Sequence, residues 1–356
     1  MTPSPIMGVA LHWLGGLAAS SFYLPFRRVK RWSWETYWIV GGFFSWIFAP
    51  WVGVLALTHD FVGVLGRTPG DVLFQSWLLG ALWGIGGLTF GLSMRYLGMS
   101  LGYGVALGTC SVCGTLLPPI VRGDIGAIAA SSAGRITLLG IIVAALGIAL
   151  SAIAGWRKER ELPAALKQAT IRDFDFRKGM LVALSCGVLS ACMAFALDAA
   201  APLATLSAAA GTPPLWTGLP KLVVILAGGF CSNALWCFVL ISRSRATRED
   251  AVVDTLSNHK MPWFANLLFC ALAGVTWYLQ FFFYTMGETQ MGKFGFSSWT
   301  LHMASIVLFS TIWGLLFKEW RGTLPATRWF IAAGIAVLIM STLIVGFGNH
   351  RVASNG

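Results

Sequence analysis

Charged side chains are scarce in this chain. Only 11% of its 356 residues are Asp, Glu, Lys or Arg, whereas 56% are hydrophobic. A water-soluble domain cannot cover so much apolar material with polar surface, so a soluble globular fold is excluded. The 25 basic and 14 acidic residues lie almost entirely between long apolar stretches. This pattern is typical of a polytopic membrane protein whose solvent is the lipid bilayer.

Several motifs of catalysis and redox chemistry are absent. The chain has no GK[ST] phosphate loop, no HExxH motif and no nucleotide-binding strand pattern, which excludes ATP-driven pumping by this chain and the common metalloproteases. Cys110 and Cys113 form a CxxC motif inside an apolar stretch rather than on a turn, so neither zinc binding nor redox chemistry is predicted. The seven cysteines predict no disulfide framework. We expect no metal and no cofactor.

Ten apolar segments make up nearly all of the chain, and each can cross about 30 Å of hydrocarbon as a helix. Lipid-facing backbone must pair internally, and the segments lack the alternation of barrel strands, so they predict an all-α integral membrane bundle. The predicted bounds are 6–26, 36–57, 72–95, 99–121, 136–155, 179–200, 215–242, 263–288, 296–317 and 326–348.

Basic residues are distributed unevenly between the connections. Of the 25 Lys and Arg residues, 19 lie in or beside the loops that follow segments 1, 3, 5, 7 and 9. Because positively charged loops stay in the cytoplasm, both termini are predicted to face outward. The net charge of +11 then reflects topology, and no nucleic-acid partner is expected, since the basic runs are short connectors. The basic residues also follow the first apolar core, unlike those of a secretory signal.

A charged connector over 156–178 divides the ten segments into five and five. An odd number of helices in each half gives the halves opposite orientations, which is the arrangement of many secondary transporters. We therefore predict two inverted five-helix repeats, over 1–155 and 179–356, joined by this cytoplasmic connector. A substrate site is expected between the halves, near the middle of the membrane.

Ordered strings of residues along the whole chain carry a resemblance to a known family. These strings are His12, Phe22-Tyr23, Pro25-Phe26, Trp32-Ser33-Trp34-Glu35, Trp83-Gly84-Ile85-Gly86, Met94 to Ser100, Trp277 to Tyr284, Leu301-His302-Met303 and Lys318-Glu319-Trp320. Together they resemble the L-rhamnose/proton symporter family, which is similar in plan to the drug/metabolite transporter superfamily.

The resemblance implies a ten-helix inverted-repeat fold and alternating access. It also implies proton-coupled uptake of L-rhamnose, or a closely related deoxy sugar, across the bacterial inner membrane, and the outward termini predicted from the basic residues would then lie in the periplasm. The expected partners are the sugar, protons as the coupling ion, and the bilayer; the oligomeric state stays open. An exporter or exchanger of drugs or metabolites on the same fold is the alternative function.

Polar and aromatic residues inside the segments are candidates for a sugar site. A neutral sugar needs hydroxyl partners and an aromatic face. His12 and His302 lie about six residues, roughly 9 Å, from the outer ends of their segments, and Gln280 lies about eight residues from the outer end of its own. The substrate-binding candidates are Gln280, Trp277, Tyr284, His302, Trp299, Trp83 and Tyr23. Each has a structural alternative: the polar side chains as bonds between helices, the aromatic ones as packing or interfacial residues.

Proton coupling requires a group that titrates within the membrane. His302 and His12 are the first candidates, because imidazole changes charge in the physiological range. Glu288 and Asp198 are further candidates, although Glu288 is predicted near the outer boundary, where it can also be simply solvated.

Charged residues near segment ends are candidates for gates. Asp198 and Lys221 are predicted at the outer ends of segments 6 and 7, where they form either a gate or a solvated boundary pair. Arg95 and Glu319 are predicted at inner ends, where gating or positional roles compete with snorkelling.

A membrane-embedded enzyme is the remaining class of function, because histidines within helices can serve catalysis. No His-x-His or Ser-His spacing places a nucleophile beside a base in this chain. We therefore do not expect an enzyme.

Overall fold

A computed structural model describes residues 3–97, 99–161, 175–247 and 262–355. Within these residues all regular elements are helical, and ten helices are long and apolar enough to cross a membrane, which confirms the predicted all-α architecture. They are α1 (Pro5–Phe26), α2 (Trp34–Leu57), α3 (Gly70–Leu97), α4 (Met99–Val121), α5 (Ser132–Glu161), α6 (Phe176–Ala199), α7 (Leu219–Thr247), α8 (Trp263–Gln290), α9 (Ser298–Leu316) and α10 (Pro325–Asn355).

The two ends of the bundle need separate names. Val9, near the start of α1, packs with Val345, near the end of α10. We call the end of the bundle that holds these two residues the terminal face. The opposite end, where α1 finishes and α10 begins, is the connector face. Arg95 lies at the connector-face end of α3, but its side chain is outside the described part of the chain.

Three connections contain short helices where the sequence analysis expected loops: Phe61–Arg67, Ile125–Ala130 and Ala201–Ala209. The connection over 201–214, between predicted segments 6 and 7, is thus helical through Ala209. This stretch is rich in alanine, the strongest helix former, and has proline in its first turn. Predicted segment 6 ended at residue 200, because about 20 apolar residues suffice to span a membrane, and the residues beyond it were assigned to a connection.

Helix α2 contains a π-helical stretch, Phe43–Phe48. Such widened turns are rare and occur frequently at functional sites. Ser45 and Trp46, within this stretch, are buried. The π-helical stretch thus carries Trp46, a large aromatic side chain that α2 contributes to the interior.

The helices pack in a recurring pattern. Helix α1 packs against α8 and α9, whereas α6 packs against α3 and α4, and α5 lies along α10. Small residues allow this approach: a Cβ atom at Gly187 of α6 would lie 2.7 Å from the carbonyl oxygen of Ala106 in α4. Glycines at helix interfaces allow this kind of close backbone packing in membranes.

Large apolar side chains cover much of the outer surface of the bundle. Phe238 of α7 and Phe264 of α8, for example, are 69% and 81% exposed. Continuous apolar surface of this kind is unfavourable in water and matches the hydrocarbon of a bilayer. The protein is therefore a multi-pass membrane protein.

Candidate functional site

Two buried histidines and a tyrosine meet inside the bundle. His12 of α1 and His302 of α9 are both 0% exposed. Each packs edge-on against Tyr284 of α8, with ring centroids 5.2 Å from Tyr284 for His12 and 5.3 Å for His302. Within the described part of the chain, none of the four imidazole nitrogens has a hydrogen-bond partner. Buried polar atoms are normally paired, so these four are available to a ligand or to water.

Glycines bring the backbones of α1 and α8 to the histidines. A Cβ atom at Gly287 would lie 2.9 Å from Nε2 of His12, and one at Gly15 would lie 3.3 Å from Nδ1 of His302. The same Cβ at Gly15 would lie 2.9 Å from the carbonyl oxygen of Gln280. Only glycine leaves room for both rings at these two positions.

Ser305 joins the two histidine-bearing helices. Its hydroxyl group is placed to donate to the carbonyl oxygen of His12 at 2.9 Å and to that of His302 at 2.8 Å. Ser305 lies one turn beyond His302, and its bond to α1 fixes how far α9 is shifted along the axis of α1. Trp299, His302 and Ser305 follow one another at steps of three residues and so lie on one side of α9, but the bond to α1 is not predictable from that spacing.

An aromatic wall extends from the histidines across α8 to α2 and α3. Phe281 lies 5.8 Å from His302 between ring centroids, and Trp83 and Trp277 lie 5.9 and 5.4 Å from Phe281. Trp46 continues the wall at 5.5 Å from Trp277. The structure thus places Trp83, Trp277 and His302, which are three of the substrate-binding candidates, along one continuous wall. Phe281 and Trp46 were missed, because among 24 Phe and 17 Trp no spacing marks them.

Trp299 is held from the side of α4. It is 2% exposed, and its indole N–H donates to the carbonyl oxygen of Cys110 at 3.1 Å. Its ring lies 5.9 Å from that of Tyr284, which orients both toward the histidines. Gln280, at 6% exposed, has an amide group with no hydrogen-bond partner among the described residues. These side chains together offer hydroxyl-binding groups beside aromatic faces, which suits an uncharged polyol.

Two ion pairs lie nearer the terminal face. Lys221 of α7 is 5% exposed, and its Nζ lies 2.6 Å from Oε2 of Glu288 in α8. Asp198 of α6 instead pairs with Arg122, which follows α4. The pair that the sequence suggested between Asp198 and Lys221 does not form, because the packing of α6 and of α7 gives each residue a different neighbour.

The buried pair yields a stability prediction. Glu288→Gln is expected to cost about 3 kcal/mol, because it leaves the Lys221 ammonium buried without its anion. Adding Lys221→Met is expected to restore most of that loss. Thermal unfolding of the purified protein in detergent measures both effects. Asp60→Asn, in the exposed pair with Arg67, is the matched control and should cost less than about 1 kcal/mol. Additive losses in the double variant would contradict the prediction.

A small cavity of about 60 Å³ lies between Tyr284 of the buried cluster and the carboxylates of the two ion pairs. Tyr284 and Trp299 line its inner side, and Arg122, Asp198 and Glu288 line it toward the terminal face. Glu288 thus stands between the buried cluster and the solvent on this side.

On the opposite side, a cleft of about 210 Å³ opens between α4, α5 and α9. Lys158 and Glu319 line it with their charged groups 3.7 Å apart, and the Lys158 ammonium lies 4.6 Å above the Trp320 ring. Arg27, just after α1, approaches Glu319 at 4.0 Å. Helix α9 therefore carries His302 between a small terminal cavity and a larger connector-face cleft.

Tyr23 lies apart from this cluster. It is 44% exposed near the connector-face end of α1, and its hydroxyl is 3.2 Å from that of Tyr37. Its ring contacts are with Phe22 and Phe26. The structure therefore does not place Tyr23 with the histidines, although the other six substrate-binding candidates lie in or beside the cluster and its aromatic wall.

Comparisons with known proteins agree over nearly the whole chain. A sequence model of the family described as L-rhamnose-proton symport protein (RhaT) matches residues 1–351. The chain is similar to a protein of Pectobacterium atrosepticum named L-rhamnose-proton symporter, with 41% identity over 344 residues that cover 96% of this chain and 98% of that protein. Proteins of the same name from Cronobacter sakazakii and Yersinia pestis are each 40% identical and cover 98% of this chain and 99% of their own lengths.

Proposed function

The chain belongs to the L-rhamnose-proton symport protein family, and from this membership we propose that it takes up L-rhamnose together with protons across the bacterial inner membrane. The family is one of transporters rather than enzymes. Protons serve as the coupling ion, and no cofactor takes part.

The buried His12–Tyr284–His302 cluster carries this proposal. In a symporter the sugar and the proton must each favour the binding of the other, and groups that meet in one cluster can couple the two directly. Four buried imidazole nitrogens without partners among the described residues suit both tasks, because neutral imidazole can accept a sugar hydroxyl and imidazolium can donate to one.

The sugar site is assigned to the side chains around that cluster. Gln280 and the histidines bind hydroxyl groups, and the aromatic rings cover the less polar faces of the sugar and its methyl group. The proposed sugar-binding residues are Gln280, His302, Tyr284, Trp299, Trp277 and Trp83. His302 and His12 are the proposed proton carriers, and Glu288 and Asp198 are the reserve candidates.

Uptake by proteoliposomes tests the function directly. Labelled L-rhamnose is expected to accumulate when an inward proton gradient is imposed and to leave again when a protonophore is added. Accumulation without sensitivity to the protonophore would contradict proton coupling. Exchange of apolar compounds without any L-rhamnose uptake would favour the exporter alternative on the same fold.

The packing pattern supports an inverted repeat with halves over 1–155 and 179–356, joined by the connector over 156–178. If each helix of the first half corresponds to the helix five places later, so that α1 matches α6, α3 matches α8 and α4 matches α9, the two sets of contacts are equivalent. The contacts of α1 with α8 and α9 then match those of α6 with α3 and α4. The same correspondence maps the α5–α10 contact onto itself. Such a repeat agrees in plan with the drug/metabolite transporter superfamily and suits alternating access. The basic connections support a connector face in the cytoplasm and both termini in the periplasm.

The proposed repeat also relates two ion pairs at opposite faces of the bundle. Arg122 follows α4 and pairs with Asp198 of α6 at the terminal face. Glu319 follows α9 and approaches Arg27, which follows α1, at the connector face. Since α4 corresponds to α9 and α6 to α1, the two pairs occupy equivalent positions. Their charges are exchanged, because the cation follows α4 in one pair and the anion follows α9 in the other. Each pair is the proposed gate of the carrier at its own face and must break when that face opens, with Lys221 and Arg95 as further gating or positional residues.

Breaking the terminal-face pair is expected to open that mouth. Asp198→Asn should raise, by up to about fivefold, the labelling by an impermeant maleimide of a cysteine placed at Ala194, which lines the terminal cavity. The factor follows from the small free energy of a partly exposed ion pair, up to about 1 kcal/mol. The Ala194→Cys parent with Asp198 intact is the reference, and the chain without the new cysteine gives the background. Unchanged labelling would show that this pair does not hold the mouth closed.

A further inference from the structure

A large groove at the connector face adjoins the cleft between α4, α5 and α9 and shares only Trp320 with its lining. It has a volume of about 460 Å³ and lies between the turn that follows α9 and the first turns of α10. Three of its eight lining residues are cationic and five are apolar. The lining residues are Leu315, Lys318, Trp320, Arg321, Arg328, Ile331, Ala332 and Ile335.

The three cations of the groove are uncompensated. Within the described part of the chain, Lys318, Arg321 and Arg328 form no ion pair and no side-chain hydrogen bond. The nearby carboxylates are engaged elsewhere. Glu319 faces Arg27 and Lys158, whereas Glu161 accepts from the backbone N–H of Leu324 at 2.7 Å and from the hydroxyl of Thr327 at 2.5 Å.

The turn that presents these cations is tightly folded. Lys318 adopts a left-handed backbone conformation with φ of 60°, and Gly322 follows with φ of 83°. For lysine this conformation is unfavourable, so it persists only where the surroundings impose it. It places Lys318 and Arg321 on the groove across from Arg328 of α10. The first turn of α10, beginning at Pro325, adds the partial positive charge of a helix start.

The apolar part of the groove continues onto a lipid-facing surface. Ile331 forms its floor at 4% exposed, with Leu315 and Ile335 beside it. Leu316 and Trp329, in the same region, are 63% and 75% exposed. A ligand with one anionic group and an attached hydrocarbon chain matches both parts of the groove.

We propose that this groove binds the phosphate headgroup of an anionic phospholipid, with Lys318, Arg321 and Arg328 around the phosphate and an acyl chain along Leu315 and Ile335. Basic pockets between helices on the cytoplasmic side of a membrane bind such headgroups. Lys158, on the same face, is already paired with Glu319 and so is less suited to bind a phosphate. The site is independent of the sugar-binding proposal.

Native mass spectrometry of protein released from mixed phosphatidylcholine and phosphatidylglycerol vesicles tests this site. The parent is expected to retain one phosphatidylglycerol that an Arg321→Gln/Arg328→Gln variant loses. In a titration with a spin-labelled phosphatidylglycerol, the double variant should bind about 30-fold more weakly, since each surface cation contributes about one kcal/mol, or a factor of about five. Arg28→Gln, which removes a cation from an exposed loop of the same face, is the matched control and should leave binding unchanged.

Two results would overturn the proposal. Equal retention of phosphatidylglycerol by the double variant and the Arg28→Gln control would show that general surface charge holds the lipid. Displacement of the labelled lipid by inorganic phosphate alone would show a site for free phosphate, in which the apolar wall has no part. Thermal unfolding of both variants in neutral detergent verifies that each is folded.

Discussion

Replacing His302 with glutamine is expected to abolish concentrative uptake of L-rhamnose. For one proton per sugar, an imposed potential of about 100 mV supplies about 2.3 kcal/mol and can drive roughly 40-fold accumulation. Glutamine keeps hydrogen-bonding capacity but cannot gain or lose a proton near neutral pH. The variant should therefore equilibrate the sugar, and its accumulation ratio should fall to about one. His12→Gln is expected to show the same loss if the two histidines share the proton.

Counterflow of labelled sugar separates lost coupling from lost binding. His302→Gln is expected to exchange L-rhamnose across proteoliposomes without a gradient, at a rate that reflects only its weakened hydrogen bonds. His59→Gln is the matched control, because His59 lies in an exposed connection at the terminal face, away from the cluster. If both His302→Gln and His12→Gln accumulate the sugar as the parent does, the histidines do not carry the proton, and Glu288 becomes the next candidate.

The membrane-spanning helices were predictable because the bilayer imposes a local rule. A segment of about 20 apolar residues must form a helix in hydrocarbon, whatever its neighbours do. The predicted bounds of segment 4 coincide with Met99–Val121, and each other predicted segment overlaps a helix. The short helix Ala201–Ala209 was missed because predicted segment 6 ended at residue 200, where it was already long enough to span the membrane, and the residues beyond were assigned to a connection.

The partners across helices were less predictable, because they depend on how each helix is rotated about its axis. Depth along the segments indicated that His12, Gln280 and His302 could meet, since depth follows from residue counts. Spacing could not show that Lys221 faces Glu288 rather than Asp198. Nor could it find Trp46, whose direction depends on the π-helical turn of α2.

Enlarging Gly15 is expected to have the second large effect, because this glycine sets the distance between α1 and the cluster. In Gly15→Val, the new Cβ would lie 2.9 Å from the carbonyl oxygen of Gln280, which is backbone, and 3.3 Å from Nδ1 of His302. Overpacking of this kind costs about 1 to 3 kcal/mol. If α1 moves away to relieve it, His12 and His302 no longer flank Tyr284, and L-rhamnose binding should weaken by as much as about a hundredfold.

Gly108→Val in α4 is the matched control, because a Cβ atom there has no neighbour within 4 Å. Titration calorimetry with L-rhamnose measures affinity, and thermal unfolding in the same detergent shows whether each variant is folded. If Gly15→Val does not fold, Gly15→Ala adds only the Cβ atom and should show a smaller loss of affinity in the same direction. Parent-like affinity in a folded Gly15→Val protein would place the sugar site elsewhere, since no sugar could bind between the two histidines without sensing the displacement of α1.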